Sequence, residues 1–122
     1  MKGRYEGECV EFRGRVIPHG FGKFQNNDNE GRFKYETYEG YYRYGFRHGK
    51  GFMKFSPHSI YDSYDGEWWK DLEHGFGKRV KRDSSFYEGE FEDGAQHGVG
   101  KYTYADGKVE AGVYMEGFFV CP

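Results

Sequence analysis

Aliphatic side chains are almost missing from this chain of 122 residues, which has one Leu, two Ile and seven Val. A leucine-rich core is excluded, and burial must come from 12 Tyr, 12 Phe and 2 Trp. Leu, Ile, Val and Phe together make 22 of the 122 residues, a share that signals disorder when a large net charge accompanies it. Here the formal charge is only −2 and 21% of residues are aromatic, so a folded, narrow, well-hydrated single domain is expected. Long glycine-free stretches are missing too. The longest, 52–65, contains Pro57, which leaves no room for an uninterrupted amphipathic helix of average length. The fold is expected to be all-β with little or no helix. Cysteine is limited to Cys9 and Cys121, and there is no leader-like N-terminus and no apolar run long enough to span a bilayer. A soluble chain with free thiols in a reducing, cytoplasmic compartment follows as the expectation.

What the chain has is a repeat. Tyr-acidic-Gly occurs at Tyr5, Tyr38, Tyr64 and Tyr87, and His-Gly-x-Gly at His19, His48, His74 and His97. A degenerate fifth unit begins at Glu110, and the unit starts are separated by 33, 26, 23 and 23 residues, a period typical of repeat arrays. Units are expected at 5–24, 38–55, 64–81 and 87–107, with a partial one at 110–118. The loops are expected at 25–37 and 56–63, and "VEFRGRVIP" reads as a further loop inside the first unit. Within a unit, "YEGEF" runs out, "EDGAQ" turns and "HGVGKYTY" returns; the Asp-Gly of "ADGK" then leads into the next. Short connections throughout predict an antiparallel meander of tandem β-hairpins with a twist of fixed hand.

Glycine weakens strands, so its recurrence inside them needs a reason. If Glu90 faces Lys101, then Gly89 faces Tyr102 and Phe91 faces Gly100. The same register sets Trp68 opposite Gly77, Gly66 opposite Arg79, Tyr42 opposite Gly51, Gly40 opposite Met53 and Phe24 opposite Gly7. Each glycine would lie opposite a large side chain, with room for a facing ring to lie flat over the backbone. Glu8, Glu67 and Glu90 would pair across the ladder with Lys23, Lys78 and Lys101, and Tyr41 with Phe52, each pair contributing roughly 0.2–1 kcal/mol. Alternation then collects Tyr5, Phe24, Tyr38, Tyr42, Tyr64, Trp68, Tyr87, Phe91, Tyr102 and Tyr104 on one face. The Glu and Lys set lies on the other.

Tyr-x-Gly-Glu-aromatic, a glycine turn, His-Gly-x-Gly and Asp-Gly at a spacing of 23 residues resemble the MORN repeat (membrane occupation and recognition nexus). The resemblance covers about residues 5–118 and is closest in "YEGEFEDGAQHGVGKYTYADG". It implies an elongated, single-layer hairpin array with a groove. Such arrays serve as scaffolds in cytoskeletal and ciliary assemblies, at membrane junctions and beside enzymatic domains such as plant phosphatidylinositol-phosphate kinases. This chain differs in its longer loops in the first half and in carrying no appended catalytic domain.

Function classes can be weighed on the same residues. The four repeated histidines have glycine and aromatic neighbours rather than further ligands, so a structural role at the strand start is expected in place of metal binding; His58 sits in a loop and carries no signal. The Gly-x-Gly pairs starting at Gly20, Gly49, Gly75 and Gly98 precede no helix, as phosphate-cradling loops must. The serines, Ser56, Ser59, Ser63, Ser84 and Ser85, lie in linkers, and no nucleophile stands in a catalytic context. A non-enzymatic chain without cofactor is the expectation. The run with Lys78, Arg79, Lys81 and Arg82 offers a contact for anionic lipid or an acidic partner. Four cations at about 1 kcal/mol each give a Kd of only about 1 mM, so lipid binding would be auxiliary. Residues 1–82 hold 16 basic and 12 acidic groups while residues 83–122 hold two and eight, a polarity that could align copies or partners. An open meander leaves edge strands free for β-augmentation. Phe118, Phe119 and Val120 either form such an assembly edge, docking a second copy or a larger complex, or fold back on the last hairpin. The reading is an adaptor that binds a protein partner, not nucleic acid, through the aromatic face of Tyr5, Tyr38, Tyr42, Tyr64, Trp68, Tyr87, Phe91, Tyr102 and Tyr104. Peripheral membrane recruitment and regulation of a separate enzyme are the alternatives.

Overall fold

The alternating pattern resolves into ten strands in the computed structural model, which describes residues 3–27 and 34–122. The first hairpin is β1 (Gly3–Phe12) with β2 (Arg15–Asn26), and the second is β3 (Thr37–Arg43) with β4 (Phe46–Lys54). The third is β5 (Tyr61–Trp69) with β6 (Leu72–Lys81), the fourth β7 (Phe86–Glu92) with β8 (Ala95–Thr103), and the fifth β9 (Val109–Met115) with β10 (Phe118–Cys121). They form one open antiparallel sheet in chain order, and no helix occurs among the described residues. The all-β meander expected from the sequence is what the chain forms. Of the loop expected over 25–37, residues 28–33 lie outside the described residues.

Each hairpin closes through a two-residue turn in which both residues have positive φ, as at Asp93-Gly94 (49° and 85°). This mirror-image turn matches the twist of the flanking strands. The segment "VEFRGRVIP", expected to loop out, instead lengthens β1 and β2 around the turn at Arg13-Gly14. Its extra residues divide equally between the strands, two on each, so every later side chain keeps its face. The fifth unit, expected to be partial and to end at 118, is a hairpin whose second strand runs to Cys121.

The register differs from the expected one by two residues up to the bulge in each hairpin and by four between the bulge and the turn, both even slips. In the fourth hairpin Gly89 faces Gly100, Glu88 faces Lys101, Tyr87 faces Tyr102 and Phe91 faces Gln96. Elsewhere Gly7 faces Gly22, Gly40 faces Gly51 and Gly66 faces Gly77. Tyr5 therefore meets Phe24, Tyr38 meets Met53, Tyr42 meets Arg47, Tyr64 meets Arg79 and Trp68 meets Glu73. The lysines pair with Glu6, Asp65 and Glu88 instead of Glu8, Glu67 and Glu90, while Tyr41 pairs with Phe21 and Phe52 with Glu39. An even slip preserves the faces, so the aromatic side survives the correction.

The cause is a bulge in every His-Gly-x-Gly. Residues His97, Gly98 and Val99 all lie across from the single residue Glu90, and Gly98 takes φ 93° to make the bend, a conformation costly for residues with a Cβ. The amide left over at Val99 donates to Glu90 Oε1 at 2.6 Å. Phe21 donates likewise to Glu8 at 2.6 Å and Phe76 to Glu67 at 2.8 Å. These glutamates cap bulges and do not face Lys23, Lys78 or Lys101; of the three only Glu67 faces a lysine, Lys50 of the neighbouring hairpin.

The glycine pair beyond the bulge is the floor for a ring, but the ring is the tyrosine of its own strand. Tyr87 lies along β7 over Gly89 and Gly100, where a Cβ on either would overlap its hydroxyl end, and Phe91 is not the ring above Gly100. The Tyr87 hydroxyl donates to Glu90 O at 2.9 Å; Tyr38 reaches Tyr41 O at 2.9 Å and Tyr64 reaches Glu67 O at 2.8 Å. With Met53, Trp68, Phe91 and Tyr114 these tyrosines form the core, each at most 4% exposed. A flat single layer leaves both faces open to water, so burial this complete requires the sheet to coil around its aromatic side, as its twist allows.

Across the sheet the rings meet in an unbroken series, edge to face except for the tilted last pair. The order is Tyr5, Tyr42, Tyr38, Trp68, Tyr64, Phe91, Tyr87, Tyr114, Phe119, with neighbouring centroids 4.9–5.5 Å apart. Such pairs contribute about 0.5–1.5 kcal/mol beyond the area they bury. Gly100→Val is expected to destabilise the chain by about 1–3 kcal/mol through overpacking. In a double-mutant cycle read by urea melts it should couple to Tyr87→Ala; coupling to Phe91→Ala without coupling to Tyr87 would contradict this register.

Candidate functional site

Two adjoining cavities open on the aromatic side of the first three hairpins. One, of about 390 Å³, is lined by Tyr5, Ile17, Pro18, Phe24 and Tyr42, among others; the second, of about 500 Å³, by Phe55, His58, Ser59, Trp68 and Glu73. Both include Glu36, Arg47, Met53 and Asp71, so they form one groove across β1 to β6.

Arg47 divides it. Its guanidinium lies 4.7 Å from the Trp68 ring centre and 5.9 Å from that of Tyr38, a cation–π arrangement. It is held there by Asp71, whose Oδ1 accepts from Arg47 Nε at 3.2 Å and from the Arg47 amide at 2.8 Å. Asp71 stands at the second position of the third turn with φ 74°, where the other hairpins have glycine. A glycine there would turn as well but would leave Arg47 without its partner. Glu36 faces the same space, and burial together with nearby Glu73 raises its carboxyl above the usual range against the opposing pull of Arg47. The groove is thus apolar in its walls, with three carboxylates and one tethered guanidinium.

The residues expected to contact a partner divide into floor and lining. Tyr38, Tyr64, Trp68, Tyr87 and Phe91 are buried core; Tyr5 and Tyr42 line the groove. Tyr102 and Tyr104 lie away from it on the fourth hairpin, ring centres 4.7 Å apart, the Tyr102 hydroxyl 2.9 Å from Ser85 Oγ and the exposed Tyr104 donating to Glu110 at 2.7 Å. Sequence reasoning missed Ile17, Pro18, Glu36, Arg47, Phe55 and His58. Each sits next to a turn or an inter-hairpin loop, where repeat periodicity carries no signal.

The basic run does not form one patch. Lys78 is exposed above the Phe86 ring at 4.4 Å. Arg79 is buried on the aromatic side between Tyr61 at 4.2 Å and Phe91 at 5.1 Å, and donates to Gly94 O at 2.9 Å. Lys81 lies 5.3 Å from the Tyr102 ring, and its hydrogen bond to the Tyr102 hydroxyl raises its pKa. Arg82 ties down the second inter-hairpin loop through Ser56 O at 2.8 Å, Ser59 O at 3.2 Å and Asp62 at 2.8 Å. Alternation from Gly77 would have placed Arg79 among the rings.

The repeated histidines link hairpins. Nδ1 of His19, His48, His74 and His97 accepts the amide of Tyr44, Lys70, Asp93 and Glu116 in the next turn, at 3.1–3.5 Å. Among the described residues no group of three His, Cys, Asp or Glu side chains is placed to hold a metal ion. At the C-terminal edge β10 folds back on β9; Phe119 packs on Tyr114 at 5.3 Å, leaving Phe118 and Val120 exposed.

The hairpins are of one design and are stacked through a shared ring chain, and the family model for the MORN repeat matches four segments, residues 17–35, 38–60, 64–86 and 87–109. The chain belongs to the MORN-repeat family. MORN repeats are modules for protein or membrane interaction and are generally non-enzymatic. No curated protein matches the chain.

In this MORN-repeat protein the buried phenols make stability sensitive to alkali. Burial pushes Tyr42 and Tyr87 up to about 12 and raises Tyr38 and Tyr64 further still. Unfolded tyrosines ionise near pH 10, so this contribution is complete below pH ~10 and is lost as pH rises through ~12. Thermal melts should fall steeply between those values, and phenolate absorbance should rise together with unfolding. Full ionisation of every tyrosine near pH 10 with the melt unchanged would contradict the burial.

Proposed function

We propose that the chain is a non-enzymatic adaptor that takes up an extended segment of a protein partner in the groove across hairpins one to three. The observation that supports this is the groove itself: adjoining spaces of about 390 and 500 Å³ on a face whose remaining rings are already buried. Its half-buried Tyr5, Tyr42 and Phe24 offer large contact area with few rotors to immobilise; Asp71 and Glu73 are paired with Arg47 and Arg79, which leaves Glu36 as the groove carboxylate that favours a segment carrying positive charge. The resemblance to cytoskeletal and ciliary scaffolds makes a larger assembly of that kind the setting we propose, with the terminal strands as further attachment points. A lipid contact through the basic run is the weaker reading, because Arg79 and Arg82 are engaged inside the fold.

Ile17 and His58 line the groove without belonging to the buried core. Ile17→Lys combined with His58→Lys is expected to lower recovery of the native partner at least about tenfold, the equivalent of ~1.4 kcal/mol, with the thermal melt unchanged. Phe76→Ser, on the opposite face, should recover it as wild type does. Equal recovery by the groove variant, or loss only with Phe76→Ser, would place the contact elsewhere.

A further inference from the structure

The five hairpin turns lie in a row along one margin of the sheet, and their charges are ordered. Arg13 and Arg15 mark the first, Arg43 the second and Lys70 the third; Glu92 and Asp93 mark the fourth and Glu116 the fifth. None of Arg13, Arg15, Arg43 and Lys70 has a carboxylate partner among the described residues. Asp71 is tied to Arg47, so the third turn presents a net cation.

Two notches on this margin carry opposite charge. The notch between hairpins two and three, about 360 Å³, is lined by Arg43, Tyr44, Phe46, His48, Trp69 and Lys70. Arg43 and Lys70 converge there closely enough to lower the pKa of His48 along with its desolvation. The notch between hairpins four and five, about 260 Å³, is lined by Glu92, Asp93, Ala95, His97 and Glu116. The cationic candidates beside it are His97, 3.3 Å from Glu92, and His74, 3.9 Å from Asp93. Around the basic notch, Phe46, Trp69 and Leu72 are 46%, 47% and 44% exposed, an apolar surface left open among the described residues.

A two-fold axis joins a surface to itself, so it requires that surface to be self-complementary. We propose that two copies of this chain associate antiparallel along their turn margins, about an axis between hairpins three and four. This axis sets the basic notch of each copy against the acidic notch of the other. Arg43 then meets the partner's Glu116, and Lys70 meets the partner's Glu92 and Asp93. Trp69 and Leu72 of both copies fall beside the axis, opposite the small Ala95, giving an apolar centre inside a charged rim. The first hairpin is longer by two residues per strand, or ~7 Å at the usual rise; in this arrangement it passes beyond the end of the partner and does not collide with it. Arg13 and Arg15 lie outside the contact.

Charge reversal tests this directly, and each replacement at the two notches is of a kind already found at the same place in another hairpin. Sedimentation equilibrium at low salt should give twice 14.3 kDa for the wild type, dissociating as salt screens the rim. Arg43→Glu with Lys70→Glu should be monomeric, as should Glu92→Lys with Asp93→Lys and Glu116→Lys. An equimolar mixture of the two variants should return to the dimer mass. Arg13→Glu with Arg15→Glu should dimerise as the wild type does. A wild type that stays monomeric, a dimer that survives either reversal, a mixture that stays monomeric, or a dimer lost on changing Arg13 and Arg15 would each overturn the proposal.

Discussion

The structure depends on one contact: a tyrosine ring lying along its own strand over a pair of facing glycines, with its hydroxyl bonded to the carbonyl at the start of a bulge. The ring needs bare backbone on both strands, which fixes two glycines per hairpin. The carbonyl it reaches belongs to the residue opposite the bulge, and in three hairpins that residue's carboxylate satisfies the amide the bulge leaves over. Tyr-x-Gly-Glu and His-Gly-x-Gly are therefore two halves of one device. The ring takes the place of a second sheet.

Stacking follows from the same contact. Each buried tyrosine presents its edge or face to a ring on its own hairpin and to one on a neighbour, so the core is a chain of pairs running across the sheet. In the first hairpin Cys9 stands where the later units have Tyr42, Trp68 and Phe91, and the ring chain accordingly starts at Tyr5. The histidine-to-turn hydrogen bonds repeat the coupling at the margin. Stability in such an array is close to a sum of hairpin and neighbour terms, and the arginines Arg47 and Arg79 extend it by covering rings that the next unit does not reach.

Much of this was legible in the residues. Twenty glycines and a 23-residue period identify the hairpins, and period-two alternation assigns the rings to one side. The register was not legible, because Glu90 and Lys101 look like cross-strand partners until the bulge at Gly98 is counted. A bulge adds residues without adding a side-chain pattern of its own, and only the turn geometry around Asp93-Gly94 fixes how many. The groove was half legible for a related reason. Aromatic periodicity identifies the floor, which is full, whereas the open space is bounded by Ile17, Pro18, Glu36 and His58, which occupy none of the recurring aromatic positions. Alternation alone cannot tell a ring that is core from one that is surface.

The central claim is that Tyr87, not Phe91, covers Gly100, and that Gly89 is its cross-strand partner. Nuclear Overhauser contacts of the Gly100 α-protons measure this most directly. The account predicts contacts from them to the Gly89 α-protons and to the Tyr87 ring, with the α-protons shifted upfield by that ring. Contacts to the Phe91 α-proton across the ladder and to the Phe91 ring, with none to Tyr87, would contradict it.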